Sequence, residues 1–226
     1  MSNFFAIPIT DEWGTTYQLT TAGYTALVVL MLALLLLACF IGNSVKQPKF
    51  SARQPAFSAM AIAAAFVTSE IKLFHLPFGG SITLFSMLFL VLIGYWYGLR
   101  AGLMTAIAYG FLQLVSDPYI ISIPQMLVDY IFAFGALGLS GLFSKSKNGL
   151  VKGYIVGVLG RYFFAFLSGM IFFGAYAADY GMSAPVYSLV YNGIYLSVEA
   201  VLTLIILYLP PVKKVMGQLK TMATQR

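Results

Sequence analysis

The sequence contains very little charge. Asp, Glu, Lys and Arg make up 9% of the 226 residues, apolar residues make up 60%, and the mean hydropathy is +0.88. This composition excludes a water-soluble globular domain, and repeated apolar runs of about 20 residues are typical of helices that cross a bilayer. The formal charge of +6 does not indicate a nucleic-acid partner, because the basic residues cluster between the apolar runs. We therefore expect an all-α polytopic membrane protein in contact with lipid.

The residues that carry metal and thiol chemistry are also scarce. Cys39 is the one cysteine and His75 the one histidine. A lone cysteine excludes a disulfide framework and a cysteine metal site, and the isolated histidine is expected at a surface or interface. The motifs HExxH and GxSxG and a paired-aspartate metal motif are absent. The sequence therefore predicts neither an enzyme nor a bound metal or cofactor.

Apolar runs divide the chain into seven predicted membrane segments. The first follows Asp11 and Glu12 rather than a basic stretch, which is untypical of a signal peptide. Two glycines and Arg100 in YGLRAG (97–102) predict a tight turn between the third and fourth segments. The segments are 22–42, 56–73, 82–98, 101–116, 124–143, 152–174 and 187–209.

The segments indicate two parts and one orientation. Residues 1–50 are predicted to form an additional N-terminal transmembrane helix and a basic linker, and residues 51–226 a six-helix body. With Lys72 as the exception, the basic residues fall on one side of the membrane, which the positive-inside rule assigns to the cytoplasm. The N-terminus is then outside and the C-terminus inside. The basic residues of that side are Lys46, Lys49, Arg53, Arg100, Lys145, Lys147, Lys152, Lys213, Lys214, Lys220 and Arg226.

Two charged residues fall deep within the last two segments. Arg161 and Glu199 each lie ~18 Å from the outer end, at a rise of about 1.5 Å per residue. Charged side chains inside a membrane face a cavity or a partner. We expect them to form an ion pair between the last two helices; a direct contact with a ligand is the alternative.

A second polar group lies nearer the outer surface. Asp129 and Asn192 are each ~7 Å deep, and Asn192 shares a helix face with Tyr195 and Glu199. The nearby tyrosines also fit an interfacial aromatic belt, and Asp129 also fits a solvated helix end. Taken together, a carboxylate, an amide and aromatic rings that open outward suit a small aromatic cation.

Small residues mark one further helix. The stretch AMAIAAAF (59–66) sets Ala59 against Ala63 and Ala61 against Ala65. Such faces allow close approach between helices, either within the subunit or against another membrane protein.

Several ordered motifs between residues 56 and 209 together resemble one family. They are GGSITLFSM (79–87), YGLRAGL (97–103), YGFLQLVSDPY (109–119), DYIFAFGALGLSGLF (129–143), GRYFFAFLSGMIFFGAY (160–176) and YSLVYNGIY (187–195). The chain resembles the ThiT family, the thiamine-specific S components of energy-coupling factor (ECF) transporters. The resemblance implies a six-helix membrane protein that captures a vitamin near the outer face. It also implies two kinds of partner, a transmembrane T component that docks on the alanine face and two ABC-type ATPases that use ATP.

The resemblance also implies roles for individual residues. Asp129 takes the place of the acidic residue that faces the thiazolium cation, where Glu is more common. Ala165 and Phe173 stand where the family usually has His and Trp, which help to hold the thiamine rings. A different vitamin or precursor, such as cobalamin or hydroxymethylpyrimidine, is therefore the alternative substrate. An autonomous secondary transporter is less favoured, because no inverted repeat is apparent. The other matched positions are Tyr130, Tyr119, Tyr187, Asn192 and Gly169.

Overall fold

The computed structural model describes residues 4, 6–11, 14–26, 29, 33, 53–76 and 80–225. At the N-terminus, strands β1 (Ala6–Asp11) and β2 (Gly14–Leu19) form an antiparallel hairpin. Residues 21–26, 29 and 33 are helical and fall at the start of the predicted segment 22–42; the rest of that segment lies outside the described residues. Tyr24 stacks on Phe172 with ring centroids 5.7 Å apart.

The described body is built of helices, which confirms the predicted all-α membrane fold. Among the described residues, four helices, α3 to α6, are long and apolar enough to cross a membrane. The helices are α1 (Arg53–Glu70), α2 (Ser86–Tyr97), α3 (Leu99–Ser116), α4 (Ile123–Phe143), α5 (Gly149–Phe172), α6 (Ala184–Tyr208) and α7 (Pro210–Thr224).

The region between α1 and α2 differs from the predicted segments 56–73 and 82–98. Strand β3 (Lys72–His75) follows α1 and pairs antiparallel with β4 (Ser81–Thr83), so that both predicted segments run partly into a hairpin. Apolar character does not separate a short strand from a helix end. Helix α2 then has 12 residues and a length of ~18 Å, too short for a hydrocarbon core of ~30 Å.

The helices alternate between two ends of the bundle. We call the end that carries the loops 117–122 and 173–183 the mouth end, and the opposite end the basic end. At the basic end, Gly98 forms the predicted turn between α2 and α3 with φ 89°. The Tyr97 hydroxyl donates to the carbonyl oxygen of Ala223 at 2.8 Å, and Arg53 donates to the carbonyl oxygens near the end of α7. Helix α7 is therefore fastened across the basic ends of α1 and α2.

Glycines allow α2, α3 and α4 to pack closely. A Cβ atom on Gly102 would lie 2.7 Å from the Cα of Gly94 and 2.8 Å from the carbonyl oxygen of Gly138. A Cβ atom on Gly138 would lie 2.5 Å from the carbonyl carbon of Gly102. Lipid supplies no hydrophobic driving force between helices, so their association depends on van der Waals packing. Small residues at such crossings strengthen this packing because they let the backbones approach closely.

We expect Gly138→Ala to destabilise the bundle, because the new methyl group would collide with the backbone of α3. The expected loss is about 1–3 kcal/mol, as for other overpacked cores, and appears as a lower melting temperature of the detergent-purified protein. The matched control is Gly217→Ala on α7, where a Cβ meets nothing within 4 Å. Equal melting temperatures for the two variants would contradict this packing.

Candidate ligand-binding site

A cavity of about 220 Å³ opens at the mouth end and reaches inward between α3, α4, α5 and α6. The structure brings every predicted substrate-binding residue into its wall. These residues are Tyr119, Asp129, Tyr130, Ala165, Gly169, Phe173, Tyr187 and Asn192. The two deep charged residues, Arg161 and Glu199, line the same cavity.

Asp129 lies on a π-helical stretch of α4, Leu127–Phe132. Such π-turns inside an α-helix are frequent at functional sites. The side-chain amide of Gln125 donates to Asp129 Oδ2 at 2.6 Å and to the carbonyl oxygen of Tyr119 at 3.0 Å. Gln125 is itself buried, with 1% exposure, and its two hydrogen bonds hold the carboxylate of Asp129 against the loop after α3. Sequence reasoning missed this residue, although its i, i+4 spacing to Asp129 was an available signal.

Tyr130 fixes the loop that follows α3. Its hydroxyl donates to the carbonyl oxygen of Asp117 at 2.9 Å and accepts from the backbone N–H of Tyr119 at 2.7 Å. This ring has 8% exposure, so its polar atom serves the loop while its face lines the cavity.

Aromatic rings form one side of the mouth. The ring of Phe173 stacks on Tyr119 at 5.8 Å and on Tyr176 at 6.2 Å. The hydroxyls of Tyr119 and Tyr176 are 3.3 Å apart. This hydrogen bond, together with burial, raises the pKa of Tyr119, so the Tyr119 hydroxyl keeps its proton.

A second aromatic series runs along α6. Tyr187 stacks on Tyr180 and on Tyr191, each at 5.5 Å, and Tyr191 meets Tyr195 edge to face at 5.9 Å. The hydroxyl of Tyr191 accepts from the backbone N–H of Gly80 at 2.8 Å. The series therefore connects the cavity wall to the loop between β3 and β4.

Gly169 and Asn192 hold α5 and α6 together. A Cβ atom on Gly169 would lie 2.9 Å from Asn192 Nδ2, so the space at this glycine is used by the neighbouring helix. Asn192 donates to the carbonyl oxygens of Ser188 at 2.9 Å and Ala165 at 3.2 Å, and accepts from the Tyr195 hydroxyl at 2.9 Å. Direct contact of either residue with a ligand stays a prediction.

The predicted ion pair between Arg161 and Glu199 is wrong. Within the described part of the chain, the ion pair found is Lys72–Asp117 at 3.1 Å. The guanidinium carbon of Arg161 instead lies 4.2 Å from the ring centroid of Phe134.

Glu199 has other partners, which explain why it needs no cation. Its carboxylate accepts from Thr83 Oγ1 at 2.6 Å, from Ser86 Oγ at 3.2 Å and from the backbone N–H of Met87 at 3.1 Å. These donors lie at the start of α2, where Phe85 has a left-handed φ of 61° and provides no side-chain cap. The free N–H groups and the dipole at a helix start favour a carboxylate.

The alanine face of α1 divides into two. Ala61 and Ala65 are 7% and 0% exposed, and the Tyr109 hydroxyl donates to the carbonyl oxygen of Ala65 at 3.4 Å. These two residues pack within the subunit, so the expectation that they dock a partner is wrong. Ala59 and Ala63 are exposed and remain available.

No metal site stands out in the described residues, where no group of three or more His, Cys, Asp or Glu side chains occurs. His75 is exposed on β3, as predicted.

The fold and the cavity define a multi-pass membrane protein with an aromatic pocket that has a fixed carboxylate near its mouth. The family model described as "Thiamine transporter protein (Thia_YuaJ)" matches residues 56–218. Thiamine transporter ThiT of Bacillus subtilis is 33% identical over 167 residues, which are 67% of this chain and 86% of the relative. Thiamine transporter ThiT of Lacticaseibacillus paracasei is 32% identical over 124 residues, which are 49% of this chain and 59% of that protein.

A solved structure of ThiT from Listeria monocytogenes has the same fold. It superposes with a TM-score of 0.56 at 28% identity, covering 69% of this chain and 93% of that chain. The chain belongs to the Thia_YuaJ family of thiamine transporter proteins. The family consists of transporters, in agreement with the expectation of a non-enzymatic protein.

We expect Glu199→Leu to lower the free energy of unfolding by at least about 2 kcal/mol, because it leaves buried donors at the start of α2 without an acceptor. Glu199→Gln keeps one oxygen acceptor and should cost less. Since the carboxylate is not paired with Arg161, the charge exchange Arg161→Glu with Glu199→Arg should not restore stability. Rescue by that exchange, measured by thermal unfolding, would contradict the observed partners.

Proposed function

We propose that this protein is the substrate-binding membrane subunit, or S component, of an ECF-type importer and that it captures thiamine at the outer face. The observation that carries the proposal is the fixed carboxylate of Asp129 in a cavity walled by aromatic rings. It lies ~9 Å below the start of α4, where water is partly excluded and a cation is attracted more strongly than in bulk solvent.

Thiamine fits this chemistry in two respects. Its thiazolium ring carries a permanent positive charge, which Asp129 balances, and both of its rings are flat and suit stacking on Tyr119, Phe173 or Tyr187. Relatives that share about a third of the sequence are thiamine transporters. The support for thiamine therefore comes from the family and from the chemistry of the cavity together.

Ala165 and Phe173 support a second candidate function, the binding of a different vitamin or precursor. Both residues line the cavity, and a small side chain at 165 leaves more room than the bulky residue that the resemblance implies there. An S component for another vitamin or precursor is the function that this departure favours.

The proposed orientation places the mouth end outside and the basic end in the cytoplasm. The exposed basic residues of α7 lie at the same end as Arg53 and Arg100, and cytoplasmic loops carry an excess of Lys and Arg. A ligand would then enter from the outside, and the N-terminal hairpin would lie outside as well.

The proposed partners are a transmembrane T component and two ABC-type ATPases, which supply ATP hydrolysis. Ala59 and Ala63 form an exposed small-residue face on α1, next to Met60 and Val67, which are 65% and 61% exposed. This face is suited to close helix packing, and we assign it to the T component.

Asp129→Asn should weaken thiamine binding by about tenfold or more, because a partly buried charge pair contributes more than 1.4 kcal/mol. Binding is measured by the quenching of intrinsic fluorescence in the purified protein. The control is Asp179→Asn, which removes an exposed carboxylate outside the cavity wall. Unchanged affinity of the Asp129 variant would exclude this carboxylate as the counter-ion; a response of the wild type to another vitamin only would move the substrate.

Leucine at both Ala59 and Ala63 should abolish co-purification with the T component and ATPases while leaving thiamine binding within about twofold, because the face lies outside the cavity. The control is Ser197→Leu, which enlarges a small exposed residue on α6. Normal complex formation by the double variant would show that the partner docks elsewhere.

A further inference from the structure

The basic end of the bundle combines many positive charges with a lack of negative ones. Exposed cations come from the start of α3, from the turn between α4 and α5, from the first turn of α5 and from α7. None of the seven Asp and Glu residues lies in the stretches 95–105, 140–155 or 205–226, so these stretches hold no carboxylate that balances the charge. The exposed cations are Arg100, Lys145, Lys147, Lys152, Lys213 and Lys214.

Helix α7 lies across this end of the bundle. Two prolines follow Leu209, whose ψ of 130° ends α6. The 15 residues of α7 then span ~22 Å. Near the far end of the helix, the carbonyl oxygen of Ala223 accepts from Tyr97, and Lys220 Nζ donates to the carbonyl oxygen of Ser144 at 3.3 Å. Because both ends of α7 meet the basic ends of other helices, α7 runs along the membrane surface rather than through the membrane.

The packing of α7 fixes which of its side chains face outward. Three apolar side chains pack against the core of the bundle, namely Val212, Met216 and Leu219. Lys213 and Lys214 are left exposed. Val215 and Met222 are also 47% and 57% exposed. A helix that lies along a membrane and exposes both basic and apolar side chains is typical of those that bind the lipid interface.

The junction of α6 and α7 has the same character. Lys213 Nζ lies 4.8 Å from the ring centroid of Tyr208, which is 60% exposed. Tyrosine rings are enriched at the level of the lipid headgroups, and an ammonium group held at this level can donate charge-assisted hydrogen bonds to a phosphate.

We propose that the basic end, with α7 lying in the lipid interface, binds the phosphate headgroups of anionic lipids. Lys213 and Lys214 contact the headgroups, and Val215 and Met222 meet the boundary with the acyl chains. An acidic segment of a partner protein would also balance the lysines, but it would not account for the exposed apolar side chains beside them on the same helix. The inference adds a lipid partner at the end of the molecule opposite the ligand cavity.

The test measures which lipids the full-length protein retains. The protein is purified from detergent micelles that contain equal amounts of phosphatidylglycerol and phosphatidylcholine, and the bound lipids are quantified by mass spectrometry. The wild type should retain phosphatidylglycerol in about tenfold excess. Lys213→Gln combined with Lys214→Gln should lower this preference about fivefold or more, since one lysine near an anionic surface contributes roughly that factor. Purification of the wild type in 0.5 M NaCl should lower it as well, because salt screens exposed charges.

The matched control is Gln218→Ala combined with Thr221→Ala, which changes two exposed uncharged residues of the same helix and should keep the preference. In a neutral detergent the three proteins should have equal melting temperatures, because the changed side chains are exposed. Equal lipid preference of the wild type and the lysine variant overturns the proposal. Unchanged lipid preference with loss of co-purifying ATPases in the lysine variant also overturns it and assigns the surface to an acidic protein partner. Thiamine enters none of these measurements, so either result leaves the proposed capture of thiamine standing.

Discussion

The structure depends on the hydrogen bonds that the buried carboxylate of Glu199 accepts inside the bundle. Glu199 receives hydrogen bonds from Thr83, Ser86 and Met87 at the start of α2. That helix is too short to span the bilayer and begins inside the bundle, so its first N–H groups need an acceptor from another helix. Glu199 provides it and thereby connects α6 to the end of the β3–β4 hairpin.

This arrangement separates the deep charges of the cavity. Because the helix start satisfies Glu199, Arg161 is not required as its counter-ion. Its guanidinium lies over the ring of Phe134, and the residue lines the cavity. Asp129 is held separately by Gln125, on a π-helical turn of α4. The wall therefore carries a carboxylate near the mouth and a guanidinium deeper inside.

Helix α1 has one buried and one exposed alanine side. One side of the helix carries Ala61 and Ala65 and is closed against the body, where the backbone of Ala65 accepts from Tyr109. The other side carries Ala59 and Ala63 and stays exposed. Tyr24, which follows the N-terminal hairpin, stacks on Phe172 at the mouth end of α5.

The sequence by itself determined the membrane class, the approximate bounds of α3 to α6 and a group of polar and aromatic residues that meet in the cavity, because hydropathy and polar residues in apolar runs are local signals. It did not predict the β3–β4 hairpin or α7. Only the tertiary structure decided which hydrogen-bond partner each buried polar side chain has. Gln125, the contact between Tyr191 and Gly80 and the start of α2 were not identified, since a hydrogen bond between distant elements leaves no periodic pattern in the sequence. Equal depth suggested that Arg161 and Glu199 pair, but depth fixes only the level along a helix. Which donors a carboxylate meets depends on the rotation of each helix and on where its neighbours begin, and only packing sets these.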